Sequence, residues 1–242
     1  MQVVDTHTGV AYISGRLPGL PGLRSIAVLP DDTHISRWVR EAARLDHDQS
    51  ALPRVGQYLM PTSVVYDVGA FIGDHTAYYA SHVKRVVAFE ANWRALQCLH
   101  HNVMEYDNVE VFAMAVGNGE GVGMVVCDQN AGASYLHPSP VGLPTLRLDD
   151  LPYNVPPPTL IKLDIEGWET RALHGAGNML VTHHPTLVIE VNRGALERAG
   201  SSPAELRETV WSYGYRRLQD LYTTAPWEAA DPRPQFDVVC LP

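Results

Sequence analysis

Cysteine is scarce: the 242 residues contain three, Cys98, Cys127 and Cys240, odd in number and far apart. A disulfide-dense scaffold is thereby excluded, and three free thiols in a reducing compartment are expected. No stretch approaches the apolar length needed to span a bilayer, so no membrane span is expected. The first residues, MQVVDTHTGVAYISG, lack a basic segment followed by an apolar run; no secretory signal is read there, and cytoplasmic placement is the expectation. Positive charge is in deficit, with 18 Lys and Arg against 27 Asp and Glu and a formal net charge of -9. Such a chain offers no broad attractive field to phosphate backbones or anionic membranes, so nucleic acid is a disfavoured partner. Low-complexity tracts are absent as well, and the composition (45% hydrophobic, 19% charged) is that of a folded globular protein.

What is present is an alternation of apolar strands and helical segments. Residues 1–62 read as an extension that caps the core, too short to stand alone. Within it, LRSIAVLP reads as a strand, and DDT at 31–33 supplies capping residues for a helix in ISRWVREAARL. The spacing of Ile35, Trp38, Val39 and Ala42 is helical, and it predicts that the Trp38 face packs on the core. From residue 63 to 242 the pattern is strand, Gly-rich turn and helix, repeated, with strands at 63–69, 85–90, 109–117, 159–167 and 184–192. Strands this apolar, separated by helices, predict a mostly parallel sheet covered on both faces. Segment 118–158 exceeds a simple crossover and predicts an extra hairpin with a mobile loop near Ser134 and Tyr135. The last third predicts a helix at 203–214 and two strands, YRRLQDLY and FDVVCLP, closing the sheet as an antiparallel hairpin.

The first chemical constellation is DVGAFIGDHT at 67–76, placed where the first core strand gives way to its helix. Ligands of open α/β sheets bind at that edge. Gly69 and Gly73 would let the backbone approach a ligand with no Cβ in the way. The spacing is G-x-x-x-G with Asp67 two residues before it. Dinucleotide sites want G-x-G-x-x-G, and here Phe71 occupies the middle glycine's position. Asp67 would repel a phosphate but suits an ammonium. Glu90, ending the next strand, can accept hydrogen bonds from both hydroxyls of a ribose. The backbone at Ala115 and Val116, after the third strand, is placed to frame an adenine. His75 and Thr76 begin the helix, and His75 is expected near a methionine carboxylate.

The second constellation is IKLDIEGWE at 161–169. Strand alternation puts Lys162 and Asp164 on one side, with Glu166 expected to begin the next helix. If this strand lies in register with the VIEVN strand, Lys162 faces Glu190 and Asp164 faces Asn192. Two readings follow. In one, Asp164 or Glu166 orients or deprotonates an acceptor hydroxyl with Lys162 beside them. In the other, Lys162 and Glu190 form a structural ion pair. Carboxylates with an asparagine also have the oxygen chemistry of a Mg²⁺ site, but spacing fixes no ligand set and no metal is expected. The adjacent pairs His100–His101 and His183–His184 point apart and read as solvated or capping residues; His137, in the SYLHP loop, is a weaker acceptor-site candidate.

At DVGAFIGDHT, VVAFEAN, the AVG after the third strand, LIKLDIEGWETRALHGA and HPTLVIEVN, the chain resembles the FkbM-type S-adenosylmethionine-dependent methyltransferases. These pieces fall in family order over residues 63–192. The resemblance implies a Rossmann-like α/β fold of the class I methyltransferases, with a seven-stranded, mostly parallel sheet ending in an antiparallel hairpin. It implies S-adenosylmethionine as cofactor and O-methylation of a small-molecule, sugar, glycolipid or polyketide-like hydroxyl. By position, Asp67, Gly69 and Gly73 would form the cofactor loop, Glu90 would bind the ribose, and Asp164 with Glu166 would lie beside the acceptor. The chain departs from the family in having Phe71 where Asn is usual, and Ala91 and Trp93 where prolines flank Asn92. Two other readings are a non-catalytic protein that binds S-adenosylmethionine and an NAD-dependent oxidoreductase on a related sheet; the latter needs phosphate room at Phe71.

Overall fold

In the computed structural model, which describes residues 3–5, 9–228 and 230–242, the chain begins with a small antiparallel sheet, β1 (Val3–Asp5), β2 (Val10–Gly15) and β3 (Arg24–Val28). Helix α1 (Ile35–Ala42) and the short α2 (Leu52–Gly56) follow. The N-cap position falls on His34, which makes no side-chain cap bond, rather than within 31–33; Asp32, two residues earlier, still accepts the Ser36 N–H at 2.6 Å. The helix ends earlier than the sequence pattern suggests, at Ala43 in the left-handed conformation. Trp38 does not pack on the core. Helix α1 buries Ser36 and Val39, and leaves Trp38 39% exposed between the rings of His34 and His47.

Next come β4 (Val64–Val68), α3 (Asp74–Ala80), β5 (Arg85–Phe89), α4 (Trp93–Val103) and β6 (Val109–Phe112). The insertion carries β7 (Gly121–Val125), β8 (Tyr135–Pro138) and β9 (Leu143–Pro144), a three-stranded antiparallel sheet rather than one hairpin. Its loop is tied down at Ser134, whose hydroxyl donates to Ala131 O and accepts from Cys127 N–H and Asn92 Nδ2. Tyr135 lies within β8 under the Arg198 guanidinium. The chain continues through β10 (Leu160–Leu163), α5 (Glu169–His174), α6 (Gly177–His183), β11 (Thr186–Asn192), α7 (Arg193–Arg198), α8 (Pro203–Ser212), β12 (Arg217–Asp220) and β13 (Gln235–Leu241).

The main sheet has seven strands in the order β12-β13-β11-β10-β4-β5-β6. Strands β11, β10, β4, β5 and β6 are mutually parallel, and β13 and β12 close the edge as the antiparallel hairpin. The two-residue period of a strand explains how this sheet serves two cores. On β4, Val64, Tyr66 and Val68 join one apolar cluster with Ile161 and Leu163 of β10 and the helices α5, α6 and α8. Val65 faces the other way, into a cluster shared with Leu160, Val86, Val188, α3, α4 and the N-terminal strands. Asn102 of α4 fastens that second layer, bonding both Ala27 backbone groups and Ile72 O.

The same alternation decides where polar residues meet. Asp67 follows Val65 on its face of β4, and Lys162 follows Leu160 on β10, directly opposite Asp67 in the parallel register. The β10–β11 register pairs Lys162 with Val188, two residues from the expected Glu190. The Lys162–Glu190 ion pair therefore does not form, and Asp164 lies beyond the end of β10 rather than opposite Asn192. Glu190 instead stands opposite Asp237 of β13, where its Oε1 accepts from Gln235 Nε2.

Candidate active site

A cavity of about 930 Å³ opens at the carboxyl ends of β4, β5, β10 and β11, on the face covered by α1 and α3. Its size is that of a small-molecule site. One end is largely apolar, walled by Phe71, Phe89, Met114, Ala115 and Val116, with Glu90 among them. The Glu90 carboxylate is already engaged at each oxygen, accepting Phe71 N–H at 2.8 Å and Asn92 N–H at 2.6 Å. Each oxygen retains a second lone pair for a ligand hydroxyl. Burial raises the Glu90 pKa and these backbone donors oppose the rise. Phe71 takes φ +48°, a left-handed conformation that aims its N–H at Glu90. Asn92 caps α4, accepting Arg94 N–H, and its amide donates to Ser134, so the insertion is tied to this wall.

Asp67, Gly73 and Thr76 sit behind the cavity surface rather than on it. Asp67 is fully buried; its Oδ2 accepts the Thr76 hydroxyl at 2.6 Å and its Oδ1 is 3.6 Å from Lys162 Nζ. Burial pushes its pKa up, against the pull of Lys162, His75 and Thr76. Lys162 also reaches Asp164 Oδ2 at 3.2 Å and Gly69 O at 3.4 Å; burial lowers its pKa, but Asp164 and Asp67 outweigh that and hold it well above the usual lysine value. Gly69 lines the cavity while its missing Cβ makes room for β10, and Gly73 makes room for α4. A Cβ on Gly69 would lie 1.9 Å from Asp164 O, and one on Gly73 2.9 Å from Leu99 Cδ1 of α4.

Asp164, Glu166 and Lys162 line the second, polar end together with Glu190 and Asp237. Glu166 does not begin a helix. It sits in the turn before α5 at φ +54°, its carboxylate 3.8 Å from Arg198. Glu169 braces this turn from below, its Oε1 accepting Ile165 N–H and Gly167 N–H. Burial, then Asp164 and Glu169, push the Glu166 pKa to about 7, with Arg198 opposing. Burial and Asp164 push Asp237 to about 6, and burial with Asp164 and Glu166 drives Glu190 strongly upward.

His75 lines the cavity, 3.9 Å from Asp48 and 4.0 Å from Asp74, with its ring edge-on to Tyr79. His137 is exposed on β8 and bonds Pro138 O, away from the cavity. Among the described residues no group of three or more His, Cys, Asp or Glu is arranged to hold a metal ion, no helix is long and apolar enough to cross a membrane, and the three cysteines are free. Sequence reasoning missed Trp38, His47, Asp48, Asp74 and Asp237, all of which reach the cavity. Asp74 had a signal, being the acid beside Gly73 in the first motif; Asp237 shows itself only once the β11–β13 register is known.

Residues 67–217, well over half the chain, match the model of the methyltransferase FkbM domain. The chain belongs to the FkbM methyltransferase family. No curated protein sequence matches the chain. Among solved structures, the FkbM methyltransferase from Methylobacillus flagellatus KT is similar at 21% identity and a TM-score of 0.52, over 76% of this chain and 44% of that one. This FkbM chain thus spans less than half the length of that protein, and the likeness shows the fold. Precorrin-6y C5,15-methyltransferase from Geobacter metallireducens GS-15 aligns at 15% identity and a TM-score of 0.46, over 79% of this chain and 86% of that one.

Proposed function

We propose that the chain is an S-adenosylmethionine-dependent O-methyltransferase acting on a hydroxyl of a small or sugar-like acceptor. The observation that carries this reading is the division of the cavity into an apolar end holding Glu90 and a carboxylate-rich end holding Asp164 and Glu166. The donor set fits the cofactor: flat apolar walls for a base, a carboxylate with free lone pairs for ribose hydroxyls, and no arginine on the walls among the described residues to hold a pyrophosphate. That last point weighs against NAD. Glu90, Ala115 and Val116 would hold the nucleoside, Gly69 and His75 would border the methionine part, and Asp67 with Thr76 would act from behind by fixing Lys162 and α3. Bound there, S-adenosylmethionine supplies an electrophilic methyl group on a sulfonium sulfur and leaves as S-adenosylhomocysteine.

Glu166 has the properties of the base that takes the acceptor's hydroxyl proton. It lines the cavity, and a pKa of about 7 suits proton transfer near neutrality. Asp164, held by Lys162, orients the hydroxyl. Because Glu166 must be ionised to accept a proton, methyl transfer should rise with pH through about 7 and level off above it. In a methyl-transfer assay over a pool of hydroxylated acceptors, Glu166→Gln should lose that rising limb and fall about 10²–10⁴-fold in kcat. Asp164→Asn should bind S-adenosylmethionine and release little S-adenosylhomocysteine. Binding without turnover in the unaltered protein, across all acceptors, would favour the non-catalytic reading.

A further inference from the structure

Seven acidic side chains line the cavity: Glu90 at the apolar end, and Asp48, Asp74, Asp164, Glu166, Glu190 and Asp237 at the other. Lys162 is the single lysine, and no arginine lines the walls among the described residues. Lys162 is already shared between Asp67 and Asp164. Arg198, outside the lining, reaches Glu166 at 3.8 Å. S-adenosylmethionine brings a sulfonium and an ammonium offset by its own carboxylate, one net positive charge, fewer than the carboxylates that remain once Glu190 is driven toward its neutral form. Three side chains facing the cavity are incompletely partnered among the described residues. Asp74, with its side chain 9% exposed, meets among the described residues the imidazoles of His47 and His75, at 3.6 and 4.0 Å. His47, also 9% exposed, has a buried Nδ1 with no hydrogen-bond partner. Glu190 Oε2 is likewise buried without a donor. Burial first, and then the neighbouring carboxylates, raise the pKa values of Glu166, Glu190 and Asp237. Trp38 lines the cavity 39% exposed, edge-on to His34 and tilted against His47, and indole is the ring with the strongest affinity for a cation over its face.

We infer that the acceptor is a hydroxylated amine, an amino sugar or amino polyol, whose ammonium groups are received by Asp74, Asp48 and the face of Trp38. This rests on the reading of the cavity as a methyltransferase site and names the substrate class within it. The ammonium stays protonated and is held by carboxylates; the methyl goes to a hydroxyl oxygen as its proton goes to Glu166. A phosphorylated or carboxylated acceptor is disfavoured, because like charges facing in a low-dielectric cleft repel.

The test uses the full chain and calorimetry, first with S-adenosylmethionine, then with the S-adenosylhomocysteine-loaded protein titrated with kanamycin (a polyamine sugar), sucrose (neutral) and glucose 6-phosphate (anionic). The expected result is that kanamycin binds, more weakly at higher salt, while the other two do not. Asp74→Asn and Trp38→Ala should each weaken kanamycin on the order of tenfold, with S-adenosylmethionine affinity unchanged in Trp38→Ala. No kanamycin binding, equal binding of sucrose, preference for glucose 6-phosphate, or kanamycin binding indifferent to both variants would overturn the inference. Failure of S-adenosylmethionine to bind would instead count against the methyltransferase reading beneath it.

Discussion

Gly69→Ala is expected to lower stability by about 2–5 kcal/mol and to abolish S-adenosylmethionine binding. The reason is geometric. Gly69 follows β4 at φ +85°, and the end of β10 passes so close that an added Cβ would stand 1.9 Å from Asp164 O and 2.9 Å from its carbonyl carbon. Two backbones meet there, joined by Asp164 N–H donating to Val68 O at 3.1 Å, so no flexible side chain can give way. Relief requires β4 and β10 to part at their carboxyl ends, where Asp164 enters the cavity. Gly194 in α7 is the control, because its Cβ would meet nothing nearer than Asn192 Oδ1 at 3.8 Å and its φ is not positive. Gly194→Ala should be neutral or stabilising by roughly 0.5–1 kcal/mol. Urea denaturation of both variants measures the contrast, and equal midpoints would contradict it.

Lys162→Met should cost about 3–5 kcal/mol, since it strips the cation from a carboxylate that is fully buried. Among the described residues, Asp67 would keep the Thr76 hydroxyl as its only donor. Much of the cost is therefore that of a stranded charge, not the worth of the pair. The double variant Lys162→Met with Asp67→Asn should recover part of the lost stability, which a double-mutant cycle by thermal denaturation reads directly. Additive losses would show that Lys162 serves Asp164 alone. The single variant should also gain stability on acidification. Asp67 has its folded pKa raised above the unfolded value, and losing Lys162 removes a charge that holds it down, so protonation below the unfolded value removes the buried charge, and the penalty builds as pH rises from there through the raised folded pKa.

The strand–turn–helix pattern made the sheet legible, because continuous apolar runs bounded by glycine have few other solutions. The pair Asp67 and Glu90 was legible as acids at successive strand ends. Their division of labour was not: Glu90 reaches the cavity, while Asp67 is sealed behind it by Lys162 and Thr76. That difference depends on which strands are neighbours and in what register, and a two-residue error moved Lys162 from Asp67 to Glu190. Trp38 misled because helical spacing marks a face without saying what it covers. Here the face meets an opening between α1 and the sheet. The acids from β13 and the α1–α2 connection, Asp237 and Asp48, had no local motif; only the fold brings them to the carboxyl ends of the parallel strands.

The most direct test of this account is calorimetric titration of the protein with S-adenosylmethionine, with NAD as the parallel ligand. The account predicts one S-adenosylmethionine site, displaced by S-adenosylhomocysteine and lost in Glu90→Ala, and no heat with NAD. Binding of NAD, or S-adenosylmethionine affinity that survives Glu90→Ala, would contradict it.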